Sequence, residues 1–247
     1  MKKSTSIFLW ILCAIYAVTT ILPGAFPALQ NPIYIFIYVV AWFVFALVHG
    51  AIRYGARGIA IFLVVCLVFS NCMENLSIIT GFPFGHYYYT DHMGPKLFLV
   101  PVLIGLGYFG TGYLAWTLAN VLLDTADRRT DALSVISPPV IAAFVMASWD
   151  ACLDPTRSTI QQNWIWQKGG GYFGVALPNY LGRWFTVYVF FQIFAIHVSR
   201  NPALAHAGHD KAYWNQAAAF FLVIALGYPA TYLGGINKAI ADATGKV

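Results

Sequence analysis

Of the nine acidic residues in this 247-residue chain, three fall in or at the end of strongly apolar segments: Glu74, Asp150 and Asp154. Glu74 stands among Ser70, Asn71, Asn75 and Ser77. Ser70 and Glu74 are one helical turn apart, as are Asn71 and Asn75, so a helix here carries a polar stripe. Asp150 and Asp154 share the i, i+4 spacing, and so do Asn179 and Arg183. Ionisable groups inside apolar segments are costly and mark function more often than packing. A structural reading competes, in which Glu74, Asp150 and Arg183 form ion pairs that lock helices together. Three carboxylates, an arginine and two asparagines favour a site. So does the loop TGFPFGHYYYTDHMGPK, Thr80 to Lys96, which concentrates tyrosines, histidines, glycines and prolines between two apolar runs.

The elements that position these residues follow from composition. Hydrophobic residues make up 60% of the chain and charged residues 9%, against about 25% charge in a soluble domain. Such a chain cannot cover a water-facing surface. A bilayer core of about 30 Å needs roughly 20 apolar residues as helix. Seven segments qualify: Ile7–Leu22, Ile33–His49, Ile59–Ile79, Leu97–Leu123, Leu133–Leu153, Leu177–Val198 and Tyr213–Leu233. Backbone amides in lipid must be satisfied within their own helix. The expected fold is therefore all-α, a polytopic transmembrane bundle of about seven spans, with residues 1–247 forming one integral membrane domain. Pro23, Pro27 and Pro32 separate the first two spans, Gly50, Gly55 and Gly58 the next two, and DTADRRTD (Asp124–Asp131) spans four and five. The lysines ahead of the first apolar run also suit a signal peptide; a retained helix is preferred.

Alternation of the spans brings the polar residues to one end. Span three ends, span five ends and span six begins on the side opposite the N-terminus. Both the Thr80–Lys96 loop and residues 155–176 lie there too. Eight of the 14 lysines and arginines fall on the N-terminal side. By the positive-inside rule that bias favours a cytoplasmic N-terminus in the cell (inner) membrane.

Several chemistries are excluded or weakened. The net charge of +5 is spread singly or in pairs, with no basic stripe for nucleic acid. No G-x-S-x-G elbow, P-loop or G-x-G-x-x-G fingerprint occurs. The seventh span has no mid-span lysine for a retinal Schiff base. His86 and His92 flank Asp91 on one side of the bilayer, whereas His49, His197, His206 and His209 fall on the other. No single metal cluster is expected from them. Cys13, Cys66, Cys72 and Cys152 lack metal spacing and read as buried small hydrophobes.

The stretches ENLSIITGFPFGHYYYTDHMGPKL, WDACLDP and GGGYFGVALPNYLGRW, in that order, resemble the carotenoid biosynthesis membrane protein family. Its best-known members are carotenoid hydratases of the bisanhydrobacterioruberin hydratase and γ-carotene hydratase type. The motifs run from span three into span six. The resemblance carries over Glu74, Thr80, Gly81, Pro83, Phe84, Gly85, Tyr87, Tyr89, Gly94, Pro95 and Lys96 from the first block. The second block gives Trp149, Asp150, Asp154 and Pro155. The third gives Gly170, Gly171, Tyr172, Phe173, Gly174, Asn179 and Gly182. Arg183 departs from the pattern, which has an aromatic residue after the glycine, and this bears on which end group fits.

The resemblance implies addition of water to the terminal isopropylidene double bond of an acyclic carotenoid end, giving a tertiary alcohol, with no cofactor and no metal. Protonating such an alkene needs a strong acid in a dry place, and burial raises a carboxylic acid's pKa. Aromatic faces stabilise the resulting cation. Asp150 or Glu74 is expected as the acid, and Asp154 as the group that orients the water. Tyr87, Tyr89, Trp149, Tyr172, Phe173, Asn179 and Arg183 are expected around the substrate. The partners implied are a carotenoid substrate and the lipid bilayer. Two other classes stay open: a non-catalytic scaffold for other carotenoid-biosynthesis enzymes, and a carotenoid or lipid transporter. A transporter should show inverted repeats with broken helices in both halves, whereas the polar cluster falls only in the middle four spans, which counts mildly against the latter.

Overall fold

The computed structural model describes residues 2–31, 33–125, 132–201 and 211–245. Six helices are long and apolar enough to cross a bilayer. They are α1 (Lys3–Ala25), α2 (Ile33–Thr80), α3 (Val102–Leu122), α4 (Ala132–Asp154), α5 (Leu177–Ser199) and α6 (Lys211–Leu233). A short amphipathic helix, α7 (Ile236–Thr244), follows. The protein is an all-α polytopic bundle.

The 48 residues of α2 would reach about 72 Å as one straight rod, more than twice the bilayer core. The rod is broken at Gly55, whose φ of 67° and ψ of 168° are not helical. Glycine takes that left-handed φ without the clash a Cβ brings. Beyond it the chain doubles back. A Cβ on Gly50 would stand 2.4 Å from Ile59 Cδ1. Phe43 and Phe62, one from each arm, both pack on Phe109 of α3, at 5.4 and 5.6 Å. Two crossings thus lie within α2, so the six long helices hold the seven apolar segments of the sequence.

Lipid tails are as apolar as leucine, so close packing rather than water exclusion holds such helices together. Rings fill the centre: Phe45, Phe62, Phe109, Tyr113, Trp116, Phe190, Phe191, Phe194 and Phe220 are wholly buried. Gly110 lets α3 approach the Trp42 indole, which a Cβ would meet at 2.9 Å. Helix α1 docks through Tyr16, with Trp42 edge-on at 5.3 Å and Phe220 at 4.6 Å.

Three sequence expectations are corrected. The fourth span does not begin at Leu97. Residues 96–101 form a small hairpin of β2 (Lys96–Leu97) and β3 (Val100–Pro101), and α3 starts at Val102. The cause is local: Asn75 Oδ1 accepts the Leu99 N–H at 3.1 Å, and Pro101 at the cap has no N–H to give. Two further short strands, β1 (Tyr87–Tyr89) and β4 (Trp164–Trp166), interrupt the loops. Cys72 and Cys152 are exposed on the helix surface, whereas Cys13 and Cys66 are buried. Pro32, most of the DTADRRTD boundary, His206 and His209 lie outside the described residues.

Candidate active site

Tyr87, Tyr88 and Tyr89 form β1, which pairs antiparallel with β4, Tyr87 opposite Trp166 and Tyr89 opposite Trp164. Side chains alternate along a strand. Tyr87 and Tyr89 are therefore buried, and Tyr88 is 48% exposed. The two loops at this end are thereby joined into one cover over the helix mouths. Its inner face is aromatic, with Tyr87 on Trp166 at 4.9 Å and on Tyr89 at 5.4 Å.

The cover is fixed to the helices below. Ser77 Oγ, on the last turn of α2, accepts the Phe84 N–H and donates to the Gly85 carbonyl, both at 3.0 Å. Lys96 reaches back to the Tyr89 carbonyl at 2.9 Å and pairs with Asp91 at 3.0 Å. Gly182 of α5 touches the loop so closely that a Cβ would lie 2.4 Å from the Pro83 carbonyl oxygen. Only glycine permits that approach.

Beneath the cover Glu74 is 1% exposed and accepts from four donors. Oε2 accepts from the Tyr87 hydroxyl and, at 2.9 Å, from Tyr89. Oε1 accepts from Tyr108 at 2.6 Å and from Arg183 Nη1 at 3.1 Å. Burial, and after it the Glu74 charge, pushes the phenols of Tyr87 and Tyr89 well above their ordinary range. Both stay protonated and donate.

Arg183 is the hub. Its Nη1 meets Glu74 of α2, and its Nε meets Asp150 Oδ2 of α4. The guanidinium carbon lies 4.6 Å from the Tyr108 ring centroid and 5.1 Å from that of Phe84. One planar cation thus ties α2, α4 and α5 together between two aromatic faces. The second acid of α4, Asp154, is 3% exposed and accepts from Asn179 Nδ2. It makes no ion pair among the described residues. Directly after it the chain passes into a π-helical turn, Pro155–Ile160, a distortion often found at functional sites.

Glu74, Tyr87, Tyr89, Asp150, Asp154, Asn179 and Arg183 are therefore brought together. Three of the expected substrate contacts are not part of this cluster. Trp149 points into the bundle, edge-on to Trp42 at 5.3 Å and stacked on Phe221 at 5.8 Å. It neighbours Asp150 in sequence, but about 100° of helical rotation sends it elsewhere. Tyr172 is 37% exposed, edge-on to Tyr180 at 5.5 Å. Phe173 sits in a turn at φ 48°, its carbonyl accepting from Thr159. Conversely, Tyr108 was not expected. It lies in the second turn of α3, at the same end as the loop, and that position was its only signal in the sequence.

Two cavities of about 510 and 420 Å³ lie away from these acids. Leu47, Ala51, Ile59 and Leu63 line the first, and Thr117, Asn120, Trp214 and Phe221 the second. Neither includes a carboxylate of the cluster.

A family model described as "Carotenoid biosynthesis protein" matches residues 30–240. The chain belongs to this family. The match takes in every residue of the cluster, and a role in carotenoid biosynthesis follows from the membership. Searches of curated proteins and of solved structures return no match. Within this carotenoid biosynthesis protein the apolar exterior suits both the bilayer and a polyene. On α5, Leu177, Leu181 and Phe185 form an exposed stripe at i, i+4, i+8, while Asn179, Gly182 and Thr186 are buried. Phe82 of the loop, also exposed, lies 6.5 Å from Phe185 and extends this apolar stripe.

Proposed function

We propose that the protein is a carotenoid hydratase, adding water to the terminal isopropylidene double bond of an acyclic end group by acid catalysis. The observation that carries this reading is a shielded arginine paired with Glu74 and Asp150, with a third carboxyl group, Asp154, one helical turn along α4 and bound by Asn179, in a chain of a carotenoid biosynthesis family. Full ionisation of that set would bury two uncompensated negative charges, which is strongly unfavourable. The reading puts one proton on the α4 acid pair. Glu74 is fully engaged as an acceptor and Asp150 faces Arg183, which leaves Asp154 as the acid. This assignment departs from the expectation of Asp150 or Glu74 as acid and Asp154 as the water-orienting group.

The steps balance. Asp154 gives its proton to the CH carbon of the terminal double bond, and a tertiary cation forms at the dimethyl carbon. Water attacks that carbon, and Asp150 takes the proton water loses. Transfer of that proton to Asp154 restores the starting state. The net negative charge of the set offsets the cation as it develops. Tyr87, Tyr89 and Tyr108 all donate to Glu74. That donation enriches their rings and strengthens cation–π attraction. The polyene lies in the bilayer, with its end entering past Phe82, Leu181 and Phe185. The lysine and arginine bias supports a cytoplasmic N-terminus in the cell membrane.

The test is pigment analysis. Cells that make lycopene or γ-carotene, given this chain, should accumulate a carotenoid heavier by one water. Pigments unchanged in mass, with the chain present in the membrane, would remove the hydratase reading in favour of a scaffold or transporter.

A further inference from the structure

Tyr180 of α5 lies within the GGGYFGVALPNYLGRW stretch but is not among the positions carried over from the family pattern, and its surroundings bear on the acid pair. Its hydroxyl oxygen is buried and makes no hydrogen bond among the described residues. Buried hydroxyls are nearly always partnered, so one without a partner calls for an explanation. Tyr180 stands about one helical turn before Arg183, which pairs with Asp150. It lies within electrostatic reach of Asp154 and Asp150. Its ring is held edge-on by Tyr172.

We infer that Tyr180 holds the attacking water against Asp150, an inference that rests on the hydratase reading. A phenol can both donate and accept. Water held between Tyr180 Oη and the Asp150 carboxylate has a destination for the proton it loses. Its remaining lone pair faces the cation that Asp154 creates. The C–O bond forms at the tertiary carbon, the proton goes to Asp150, and Tyr180 keeps its own proton. In this division Asp154 makes the cation and Tyr180 decides what captures it. A cation that meets no water loses a proton and returns to the alkene.

Tyr180→Phe in membranes assayed in deuterated water separates the two roles. The hydrated product should fall at least tenfold, while recovered substrate still gains deuterium at its terminal CH carbon. Asp154→Asn should lower product and exchange together. Wild-type rates of hydration in Tyr180→Phe overturn the inference, as does joint loss of product and exchange. A Phe variant that no longer accumulates in the membrane assigns the hydroxyl a packing role, and that also overturns it. If the wild-type chain forms no hydrated product at all, the hydratase reading fails instead.

Discussion

Asp154→Asn should lower hydration by about a hundred- to ten-thousandfold, the usual worth of a positioned general acid, with little loss of stability. Asparagine is isosteric with aspartate, and its carbonyl still accepts the Asn179 amide that now reaches Asp154 Oδ2. What disappears is the acidic proton. The cation then forms far more slowly, so hydration and deuterium exchange fall together. The measurement is product per unit of membrane protein, with the thermal midpoint in detergent as the control for folding. A variant that folds and still hydrates at the wild-type rate would put the acid elsewhere. Asp150→Asn should also fail, by a different route: the cation forms, but no base accepts the proton from water. Exchange without product is expected there, as in Tyr180→Phe.

Arg183→Met should cost both stability and activity. Methionine keeps much of the apolar stem but leaves Glu74 and Asp150 facing each other's surroundings with no cation between them. Breaking a buried ion pair from one side typically costs ~3–5 kcal/mol. A clear drop in the thermal midpoint is expected, with loss of hydration. Removing the orphaned charges as well, in the Glu74→Gln, Asp150→Asn, Arg183→Met triple variant, should return most of the stability and none of the activity. A single Arg183→Met variant as stable as wild type would show that the arginine does not join α2, α4 and α5.

Much of this was legible in the sequence, because polar residues in apolar helices are conspicuous and their spacing sets their direction. The i, i+4 pairs of Asp150 with Asp154 and of Asn179 with Arg183 needed only alternating spans to meet Glu74 at one end. The three consecutive tyrosines were legible as a site wall but not as a strand. Their sorting into two buried and one exposed depends on pairing with Trp164–Trp166, about 75 residues away in the chain. Tyr108 was hidden because a tyrosine in an apolar run looks like packing; only its hydroxyl's partner distinguishes it. Trp149 misled for the opposite reason. It sits beside Asp150 in a motif, but its ring packs on Trp42 and Phe221. What each acid touches was also out of reach. Four donors on Glu74, an arginine on Asp150 and an amide on Asp154 separate three otherwise similar carboxyl groups.

The source of the product's oxygen probes this chemistry most directly. Membranes carrying the protein, supplied with an acyclic carotenoid in oxygen-labelled water with dioxygen excluded, should yield a tertiary alcohol that holds the label. An alcohol formed without label, or one that appears only when dioxygen is admitted, would contradict acid-catalysed addition of water at Asp154.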